Sequence, residues 1–373
     1  MKFIPVNEPL LTGNEKKYLN DCIDTGWISS EGPYITRFED EFAARMGRKF
    51  GVAVCNGSVA IDAAVLALGI KEGDEVIMPT FTIISCAAAI IRAGATPVLV
   101  DAEPITWNMD VNQVASKITS RTKAIMVVHI YGLPVDMNPI LELAEKHNLK
   151  IIEDAAEMHG QTYYGKPCGS FGQISTFSFY ANKNITTGEG GMILTDDEQI
   201  AEKCRSLRNL CFVPKKRFVH DELGFNFRMT NLQGAVGLAQ LERIDDIVKR
   251  KREIGALYNQ LLANVDGITL PSASTLYADN IYWVYGLVLK PETGLNAETA
   301  MAKLMAEQIG TRPFFWPMHE QPVLHKMGLF KNLHFPVAEN IARMGFYLPS
   351  GMALANAQIQ TVAGKLKQIL AKN

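Results

Sequence analysis

Short apolar stretches alternate with helix-like runs from about residue 50 to residue 195, and this alternation constrains the fold more than any other feature. The apolar stretches are rich in Val and Ile and mostly end in Gly, Asp or Pro, as β-strands do. They read FGVAVCNG, DEVIMPT, TPVLVDAE, TKAIMVVHIYG, LKIIEDAAE, ISTFSF and GMILTD. Helix-like runs such as SVAIDAAVLALG and MNPILELAEKHN separate several of them. The alternation predicts an α/β domain in which helices cover both faces of a mostly parallel, seven-stranded sheet.

After residue 195 the pattern changes to longer helical segments. The stretch TDDEQIAEKCRSLRNL predicts a helix opened by a capping box, with Thr195 as the cap and Glu198 as its partner. The stretch TNLQGAVGLAQLERIDDIVKRKREIGALYNQLLANV predicts one long helix that leads from a first domain to a second. IYWVYGLVLK and the helical stretches around it fit a smaller α+β domain. We therefore predict a large domain over 1–245 and a smaller C-terminal domain over 246–373.

Composition limits the classes of partner and the compartment. The 37 basic and 39 acidic side chains give a formal net charge of −2, and no long basic cluster marks a nucleic-acid surface. The amino-terminal residues lack the apolar core of a signal peptide, and no apolar run reaches the ~18 residues of a membrane span. Six scattered cysteines without a C-x-x-C pair argue against a metal site or disulfide framework. The sequence predicts a cytoplasmic protein whose partners are small molecules and other protein chains, not nucleic acid or membrane.

In a mostly parallel sheet, ligands bind outside the carboxyl ends of the strands, so the residues just past each strand are the candidate site. Asn56, Gly57 and Ser58 join a strand to a helix, whose unpaired N–H groups and dipole favour a phosphate. The same residues are also common in ordinary turns and caps. Asp154 ends another strand, where burial of its carboxylate is costly unless a cation meets it. A helix cap or a structural ion pair is the alternative for Asp154.

Lys183 follows the strand ISTFSF and precedes the glycine-rich run TTGEGG. A loop lysine on its own is most often a solvated charge. Ser178 lies five residues upstream on the strand that ends beside it, and the glycine-rich run can bring several backbone N–H groups together. A phosphate seat, a carboxylate, a serine and a lysine thus fall at strand ends of one sheet.

These four features match the requirements of pyridoxal 5′-phosphate (PLP). This cofactor presents a phosphate, a pyridine nitrogen that must stay protonated and an aldehyde that forms a Schiff base. A helix N-terminus with serine hydroxyls suits the phosphate, a buried carboxylate suits the nitrogen, and a lysine amine suits the aldehyde. The residues therefore predict a PLP enzyme.

Several strings resemble those of the DegT/DnrJ/EryC1/StrS sugar aminotransferases. They are NGSVAIDAAVLALGIKEGDEVIMPTFT, ATPVLVDAEPITWNMD, KAIMVVHIYG, IIEDAAE, STFSFYANKNITTGEGGM and LGFNFRMTNLQGAVGLAQLERID. The resemblance runs from GNEKKYLNDCIDTGWISSEGPYITRFEDEFA to TRPFFWPMHEQP and so covers nearly the whole chain. It implies the aspartate-aminotransferase-type fold (fold type I of PLP enzymes) and a homodimer with shared active sites.

The resemblance also implies a role for individual residues. Lys183 would form the Schiff base, and Asp154 would pair with the protonated pyridine nitrogen. Glu157 would lie near the cofactor ring or its O3′ oxygen. The phosphate would be held by Gly57, Ser58 and Ser178 of one subunit and by Asn226 of the second.

One position departs from the family pattern. Relatives often place an aromatic ring over the cofactor where this chain has Ile83. Either Phe81 supplies that ring, or an aliphatic side chain covers the cofactor and holds it less firmly. Some relatives instead have His at the lysine position and remove a hydroxyl, so the presence of Lys183 favours transamination.

Candidate substrate contacts come from three further stretches. By family pattern, GWISSEG places Trp27, Ser29 and Ser30 on the sugar side. The candidates for the sugar hydroxyls or the diphosphate are His220, Arg312 and His319. The stretch VPKKRFVH adds three positive charges that suit an anionic nucleotide. Surface residues and plain packing are the alternatives for all of these positions.

The expected reaction transfers the amino group of L-glutamate to a nucleotide-linked 4-keto-6-deoxy sugar and releases 2-oxoglutarate. Within the family, the resemblance is greatest to members that aminate GDP-4-keto-6-deoxy-mannose for surface polysaccharides such as the O-antigen of lipopolysaccharide. One alternative is a dTDP- or UDP-linked 4-keto sugar, or a 3-keto sugar, and another is a non-catalytic relative that only binds sugar nucleotides. A Rossmann dehydrogenase fits poorly because no G-x-G-x-x-G opens the chain.

Overall fold

The structure is a computed structural model that describes residues 2–371, apart from the side chain of Arg217. Its helices are α1 (Glu15–Thr25), α2 (Pro33–Arg45), α3 (Gly57–Ala67), α4 (Ile84–Arg92), α5 (Val111–Val114), α6 (Met137–His147), α7 (Glu198–Arg208), α8 (Asn231–Leu241), α9 (Ile244–Leu262), α10 (Ala297–Ala306), α11 (Pro322–Lys326), α12 (Pro336–Met344) and α13 (Asn356–Ala371). Within residues 2–371, no helix is both long enough and apolar enough to cross a membrane.

The strands of the described residues form one large sheet and three smaller ones. They are β1 (Phe50–Val54), β2 (Glu75–Pro79), β3 (Thr96–Val100), β4 (Thr122–Val128), β5 (Lys150–Asp154), β6 (Thr162–Tyr163), β7 (Lys166–Pro167), β8 (Ile174–Ser178), β9 (Gly191–Thr195), β10 (Phe212–Val213), β11 (Lys216–His220), β12 (Ile268–Thr269), β13 (Tyr285–Leu289), β14 (Arg312–Pro313) and β15 (Gly345–Leu348).

The large sheet has seven strands in the order β1-β9-β8-β5-β4-β2-β3. Strand β9 runs antiparallel to both of its neighbours, β1 and β8, while the other strand pairs of the sheet are parallel. The α/β prediction with a mostly parallel sheet of seven strands is therefore confirmed. Because six of the seven strands point the same way, their carboxyl ends share one edge of the sheet.

Helices cover both faces of this sheet, and the alternation of side chains along β4 shows why. Ile125 and Val127 belong to one apolar cluster, together with side chains of α2, α6 and α8. Ala124 and Met126 belong to a second cluster, with side chains of α3 and α4. Successive residues of a strand point to opposite faces, so a continuous apolar strand requires an apolar cover on each side.

A smaller antiparallel sheet, in the order β12-β13-β15-β14, forms in the C-terminal part of the chain. Its inward side chains pack with α9, α10 and α13 in a third apolar cluster. The predicted division near residue 245 falls at the start of α9 and stays a prediction. Phe314 and Ile341, beyond that point, belong to the same cluster as α3 and α4, so the C-terminal part packs directly on the large sheet's helices.

Two predictions of local structure are wrong. The long helix predicted after Thr230 is two helices, α8 and α9, because the backbone leaves the helical region at Arg243 (φ −113°, ψ 11°). The carboxylate of Glu242, at this junction, accepts hydrogen bonds from Asn14 and Tyr18. These tertiary contacts hold the end of α8 against the start of the chain, and helix propensity alone does not reveal them.

The predicted cap of α7 is also wrong. Thr195 is the last residue of β9, and its hydroxyl donates to the carbonyl of Gln173 at 2.7 Å. Asp197 caps the helix instead, since its side chain accepts hydrogen bonds from two N–H groups of the first turn. Capping boxes occur elsewhere, at the start of α8 (Thr230 with Gln233) and at the start of α10 (Asn296 with Thr299).

Candidate active site

A cavity of about 620 Å³ opens at the carboxyl ends of the parallel strands. We call it the lysine cavity. It is lined by eight of the residues singled out from the sequence: Asn56, Gly57, Ser58, Ile83, Asp154, Glu157, Ser178 and Lys183. The carboxyl ends of β1, β2, β5 and β8 thus bring together residues that lie up to about 130 positions apart in the chain. Asn226 does not line this cavity.

The start of α3 forms one wall of the lysine cavity. Asn56 caps the helix, and its Oδ1 accepts the N–H of Val59 at 3.1 Å. Gly57 and Ser58 follow as the first helical residues, whose N–H groups precede the first turn of helical hydrogen bonds. A Cβ on Gly57 would lie 2.7 Å from the Cβ of Ser178, so only glycine lets the helix approach β8 this closely. This wall offers backbone donors and a serine hydroxyl to an anion.

Asp154 forms the buried floor of the lysine cavity, with only 3% of its surface exposed. Its Oδ1 accepts the N–H of Ala156 at 3.1 Å, and its Oδ2 accepts the thiol of Cys86 at 3.4 Å. Burial raises the pKa of this carboxyl group; Lys183 and His129 act in the opposite direction, but no described side chain forms an ion pair with it. A protonated ring nitrogen would supply the missing positive charge, so Asp154 fits the PLP pyridine nitrogen.

Lys183 lies between a carboxylate and an aromatic ring. Its Nζ is 3.7 Å from Oε1 of Glu157 and 3.8 Å from the ring centroid of Trp283. Burial lowers the pKa of the Lys183 amine, while the carboxylates of Glu157 and Asp154 act in the opposite direction. Burial also raises the pKa of Glu157 to about 7, although its Oε2 accepts the N–H of Tyr131 at 2.6 Å. The two groups therefore lie close enough for each to influence the protonation of the other.

Ile83 lines the lysine cavity with 43% of its surface exposed. Phe81 does not line it: its ring is fully buried against Tyr131, Phe314 and Phe315, at centroid distances of 5.9–6.1 Å. Of the two alternatives for the missing aromatic cover, the structure supports the aliphatic one. Ile83 faces the cavity where relatives often have a ring.

Trp27, Ser29 and Ser30 line a second cavity of about 1210 Å³, which does not include Lys183. We call it the basic cavity because four cations also line it: Arg205, Arg208, Lys215 and Arg228. Lys215 comes from the basic stretch VPKKRFVH, in which the side chain of Arg217 lies outside the described residues.

Asn226 is exposed and pairs through a β-bridge with Asn209, which lines the basic cavity. His220 is exposed nearby on β11, and its Nδ1 is 2.7 Å from the carbonyl oxygen of Leu210. Both residues therefore lie on the side of the basic cavity and not at the Lys183 amine of their own chain.

The two remaining substrate candidates, Arg312 and His319, differ in whether the side chain is available to a ligand. Arg312 lines a cavity of about 370 Å³ that shares Tyr180, Asn182 and Tyr347 with the lysine cavity. His319 is buried, with Nδ1 2.8 Å from the Thr80 hydroxyl and Nε2 3.0 Å from a carboxylate oxygen of Glu339. Both of its ring nitrogens are used within the protein, so His319 has none free for a sugar or a phosphate.

Sequence reasoning missed three residues of the site. Trp283 and Tyr347 line the lysine cavity from the C-terminal part of the chain, and Cys86 lies behind Asp154. The stretch IYWVYGLVLK contains Trp283 and shows only an apolar strand pattern. No local signal could have placed these residues, because their contacts are made across the fold.

The model of the DegT/DnrJ/EryC1/StrS aminotransferase family matches residues 9–367. The chain belongs to this family. It is 44% identical over 359 residues to the GDP-perosamine synthase of Escherichia coli O157:H7, covering 96% of each chain. It is 42% identical over 365 residues to the GDP-perosamine synthase of Vibrio cholerae, covering 98% of each. The solved structure of S. venezuelae DesV in complex with ketimine intermediate is 31% identical, with a TM-score of 0.92 over 99% of both chains.

These similarities confirm the predicted family, fold type and enzyme class. The chain is a PLP-dependent aminotransferase, and its cofactor is PLP. The residues of the lysine cavity fit this cofactor: the wall at α3 suits a phosphate, the unpaired buried carboxylate of Asp154 suits a protonated ring nitrogen, and Lys183 offers an amine.

Proposed function

We propose that this enzyme transfers the amino group of L-glutamate to C4 of GDP-4-keto-6-deoxy-mannose, for the synthesis of a surface polysaccharide such as an O-antigen. One observation supports the reaction type. The Lys183 amine and the Asp154 carboxylate face the same cavity, and no described side chain forms an ion pair with this carboxylate. The substrate is supported by the two relatives named GDP-perosamine synthase, whose similarity covers nearly the whole chain.

PLP, when bound, supplies an aldehyde that condenses with amines and a ring that accepts electron density from the substrate carbon. Gly57 and Ser58 would bind its phosphate through backbone N–H groups, and Ser178 through its hydroxyl. Asp154 would hold the proton on the ring nitrogen, and Ile83 would cover the ring and exclude water.

Lys183 would move the proton at the reacting carbon of the substrate. A general base works best when its pKa lies close to the operating pH. Burial lowers the pKa of the Lys183 amine, and the neighbouring Glu157 has a pKa raised to about 7. The lowered pKa favours a neutral Lys183 amine, which is the form that can accept this proton.

The homodimer with shared active sites is part of the same proposal. Asn226 lies beside the basic cavity, away from the lysine cavity of its own chain. A second copy placed against this face would let Asn226 reach the phosphate in the partner. The cations of the basic cavity suit the diphosphate of a sugar nucleotide. We also place the enzyme in the cytoplasm, which its six free cysteines support.

Two alternatives stay open. The same cavity can serve a dTDP- or UDP-linked 4-keto or 3-keto sugar, because the residues that we assign to the cofactor do not select the nucleotide base. A non-catalytic relative that binds sugar nucleotides is disfavoured by the intact set Asp154, Ser178, Lys183 and Asn226.

The test has two parts. The cofactor-loaded protein is mixed with glutamate, and the loss of its yellow absorbance is followed; it is then offered GDP-, dTDP- and UDP-linked keto sugars. We expect the absorbance to return fastest with GDP-4-keto-6-deoxy-mannose. In a second sample, borohydride reduction should attach the cofactor to the peptide that contains Lys183. Label on another peptide, or no response to glutamate, would contradict the proposal.

A further inference from the structure

Trp283 makes two contacts with the segment that carries Lys183. Its side chain is buried, with 4% of its surface exposed. The indole Nε1 donates a hydrogen bond of 2.9 Å to the carbonyl of Asn182, the residue before Lys183. The centroid of its ring lies 3.8 Å from the Nζ atom of Lys183. The hydrogen bond therefore fixes the backbone of the loop, and the ring packs against the Lys183 amine.

The backbone of Trp283 is in turn held by a buried lysine. Lys251, on α9, donates hydrogen bonds from Nζ to the carbonyls of Trp283 and Ser350, at 2.7 Å and 2.6 Å. The ring of Tyr131 packs beside the indole at a centroid distance of 6.1 Å. Lys251 therefore fixes the backbone of Trp283, and Tyr131 packs beside its ring.

Two carboxylates act electrostatically on the Lys183 amine, and a buried histidine is affected by it in turn. Glu157 lies 3.7 Å away, the carboxylate of Asp154 raises the pKa of the amine, and His159 responds to its charge. The face of an aromatic ring carries partial negative charge and attracts a cation. A free Lys183 ammonium therefore has a defined resting position, between the Glu157 carboxylate and the Trp283 ring.

Transamination requires the Lys183 amine to leave the cofactor and to act repeatedly at the reacting carbon while it is free. A mobile amine would lose the advantage of a fixed position, which contributes large factors to enzymatic rates. Building on the role proposed for Lys183, we propose that Trp283 is a positioning residue that holds the free Lys183 amine beside the reacting carbon and fixes the loop that carries it.

The two contacts of Trp283 can be removed in steps. Trp283→Phe keeps a ring face but has no N–H for Asn182, while Trp283→Leu loses both. Trp107→Leu is the matched control: Trp107 is buried, at 3% exposed, in the same aromatic group, but it does not line the lysine cavity. Thermal melting of all three variants, compared with the wild type, shows whether each is folded.

The first measurement is the reaction of the cofactor-loaded protein with glutamate, followed by stopped-flow absorbance over a range of glutamate concentrations. We expect Trp283→Leu to lower the maximum rate by about tenfold or more, with a change of less than about threefold in the half-saturating glutamate concentration. Trp283→Phe should fall between Trp283→Leu and the wild type, and Trp107→Leu should stay within about twofold of the wild type.

The second measurement does not depend on turnover. Cofactor-free protein is mixed with PLP at a series of pH values, and the rate at which PLP becomes attached to Lys183 is measured. The midpoint of this rate against pH reports the pKa of the Lys183 amine. Loss of the ring face should lower the pKa of this amine, because an ammonium loses a favourable contact. The midpoint should therefore move to lower pH in Trp283→Leu and stay close to that of the wild type in Trp283→Phe.

A wild-type maximum rate together with an unchanged midpoint in Trp283→Leu would overturn the proposal. If Trp283→Leu does not fold, Trp283→Phe decides alone, and a wild-type maximum rate in that variant would overturn it. Lys183→Ala is measured in parallel to keep this proposal separate from the proposed function. An inactive Lys183→Ala beside an unaffected Trp283→Leu refutes only the positioning role, whereas an active Lys183→Ala refutes the proposed function itself.

Discussion

The thiol of Cys86 donates a hydrogen bond of 3.4 Å to Oδ2 of Asp154, from helix α4 to the end of strand β5. The other oxygen of this carboxylate accepts the N–H of Ala156 at 3.1 Å. These two donors fix both oxygens of a buried carboxylate that forms no ion pair with a described side chain, although Lys183 and His129 act on it at longer range. The direction in which Asp154 faces the lysine cavity therefore depends on a cysteine 68 residues earlier in the chain.

Replacing Cys86 tests this dependence. Cys86→Ala leaves Oδ2 without a donor, at a cost of about 1 kcal/mol, and we expect weaker cofactor binding by roughly fivefold. Cys86→Ser restores a donor of similar size and should recover most of the affinity. The measurement is the dissociation constant of PLP from fluorescence quenching. Equal affinities in the alanine and serine variants would show that the thiol acts by packing alone.

Lys183→Ala removes the amine that we assign to proton transfer. We expect activity to fall by at least about 10³-fold, since a positioned general base contributes about 10²–10⁴ and the attachment of the cofactor is lost as well. Turnover with glutamate and the keto sugar measures the loss. Circular dichroism should stay native because Lys183 lies in a loop. Lys166→Ala, at an exposed lysine of the β6–β7 hairpin, is the control and should retain full activity.

Asp154→Asn distinguishes the binding of the cofactor from the retention of the proton on its ring nitrogen. The amide has nearly the shape of the carboxylate, so the cofactor should still bind. It cannot hold the proton on the ring nitrogen, and we expect the rate of the glutamate reaction to fall by about 10²-fold or more. Stopped-flow absorbance measures that rate. A near-normal rate would mean that another group carries the role assigned to Asp154.

Mixing two inactive variants tests the shared site. If Asn226 serves the neighbouring subunit, a heterodimer of Asn226→Ala and Lys183→Ala has one intact site. Random exchange of subunits should restore roughly a quarter of the wild-type sites. Activity is assayed after the variants are mixed, partially unfolded and refolded together. Mixtures no more active than the separate variants would count against the shared site.

Lys251 gives a pH dependence of stability. Burial lowers its pKa to about 7 in the folded protein, whereas an unfolded lysine titrates near its ordinary value of about 10.4. Between these values the unfolded chain binds more protons than the folded one, so stability should rise with pH, by at most about 1.4 kcal/mol per pH unit. Urea unfolding at pH 7, 8 and 9 measures this slope.

Lys251→Met should remove this contribution to the slope. Lys249→Met, at an exposed position of the same helix, should leave the slope unchanged. Identical slopes in the wild type and Lys251→Met would show that Lys251 stays charged in the folded protein, held by its two carbonyl acceptors.

The sequence predicts those parts of the site that follow from the sheet. Asp154 and Ser178 end strands, and Lys183 lies in the loop after one, so a parallel topology is enough to place them at one edge. Trp283 could not be placed in this way, since its hydrogen bond to Asn182 joins residues 101 positions apart. The same holds for Cys86, whose role exists only because α4 packs against β5.

The errors have a physical reason in common. The long helix was predicted from periodicity, which does not register the contacts of Glu242 with Asn14 and Tyr18. His319 lies in a stretch rich in aromatic residues and prolines, and only its buried bonds to Thr80 and Glu339 show that its ring is fully used. Local sequence patterns predict helices and strands well, but tertiary contacts decide which polar side chains remain available to bind a ligand.

The lysine cavity has walls from both ends of the chain, since Trp283 and Tyr347 stand opposite residues of the first 190 positions. A ribosome that has completed only the parallel sheet has made a chain with Asp154 and Lys183 but without these walls. We therefore expect stable binding of the cofactor only after the C-terminal part has been made, so a yellow colour in the purified protein would indicate that this part has folded onto the sheet.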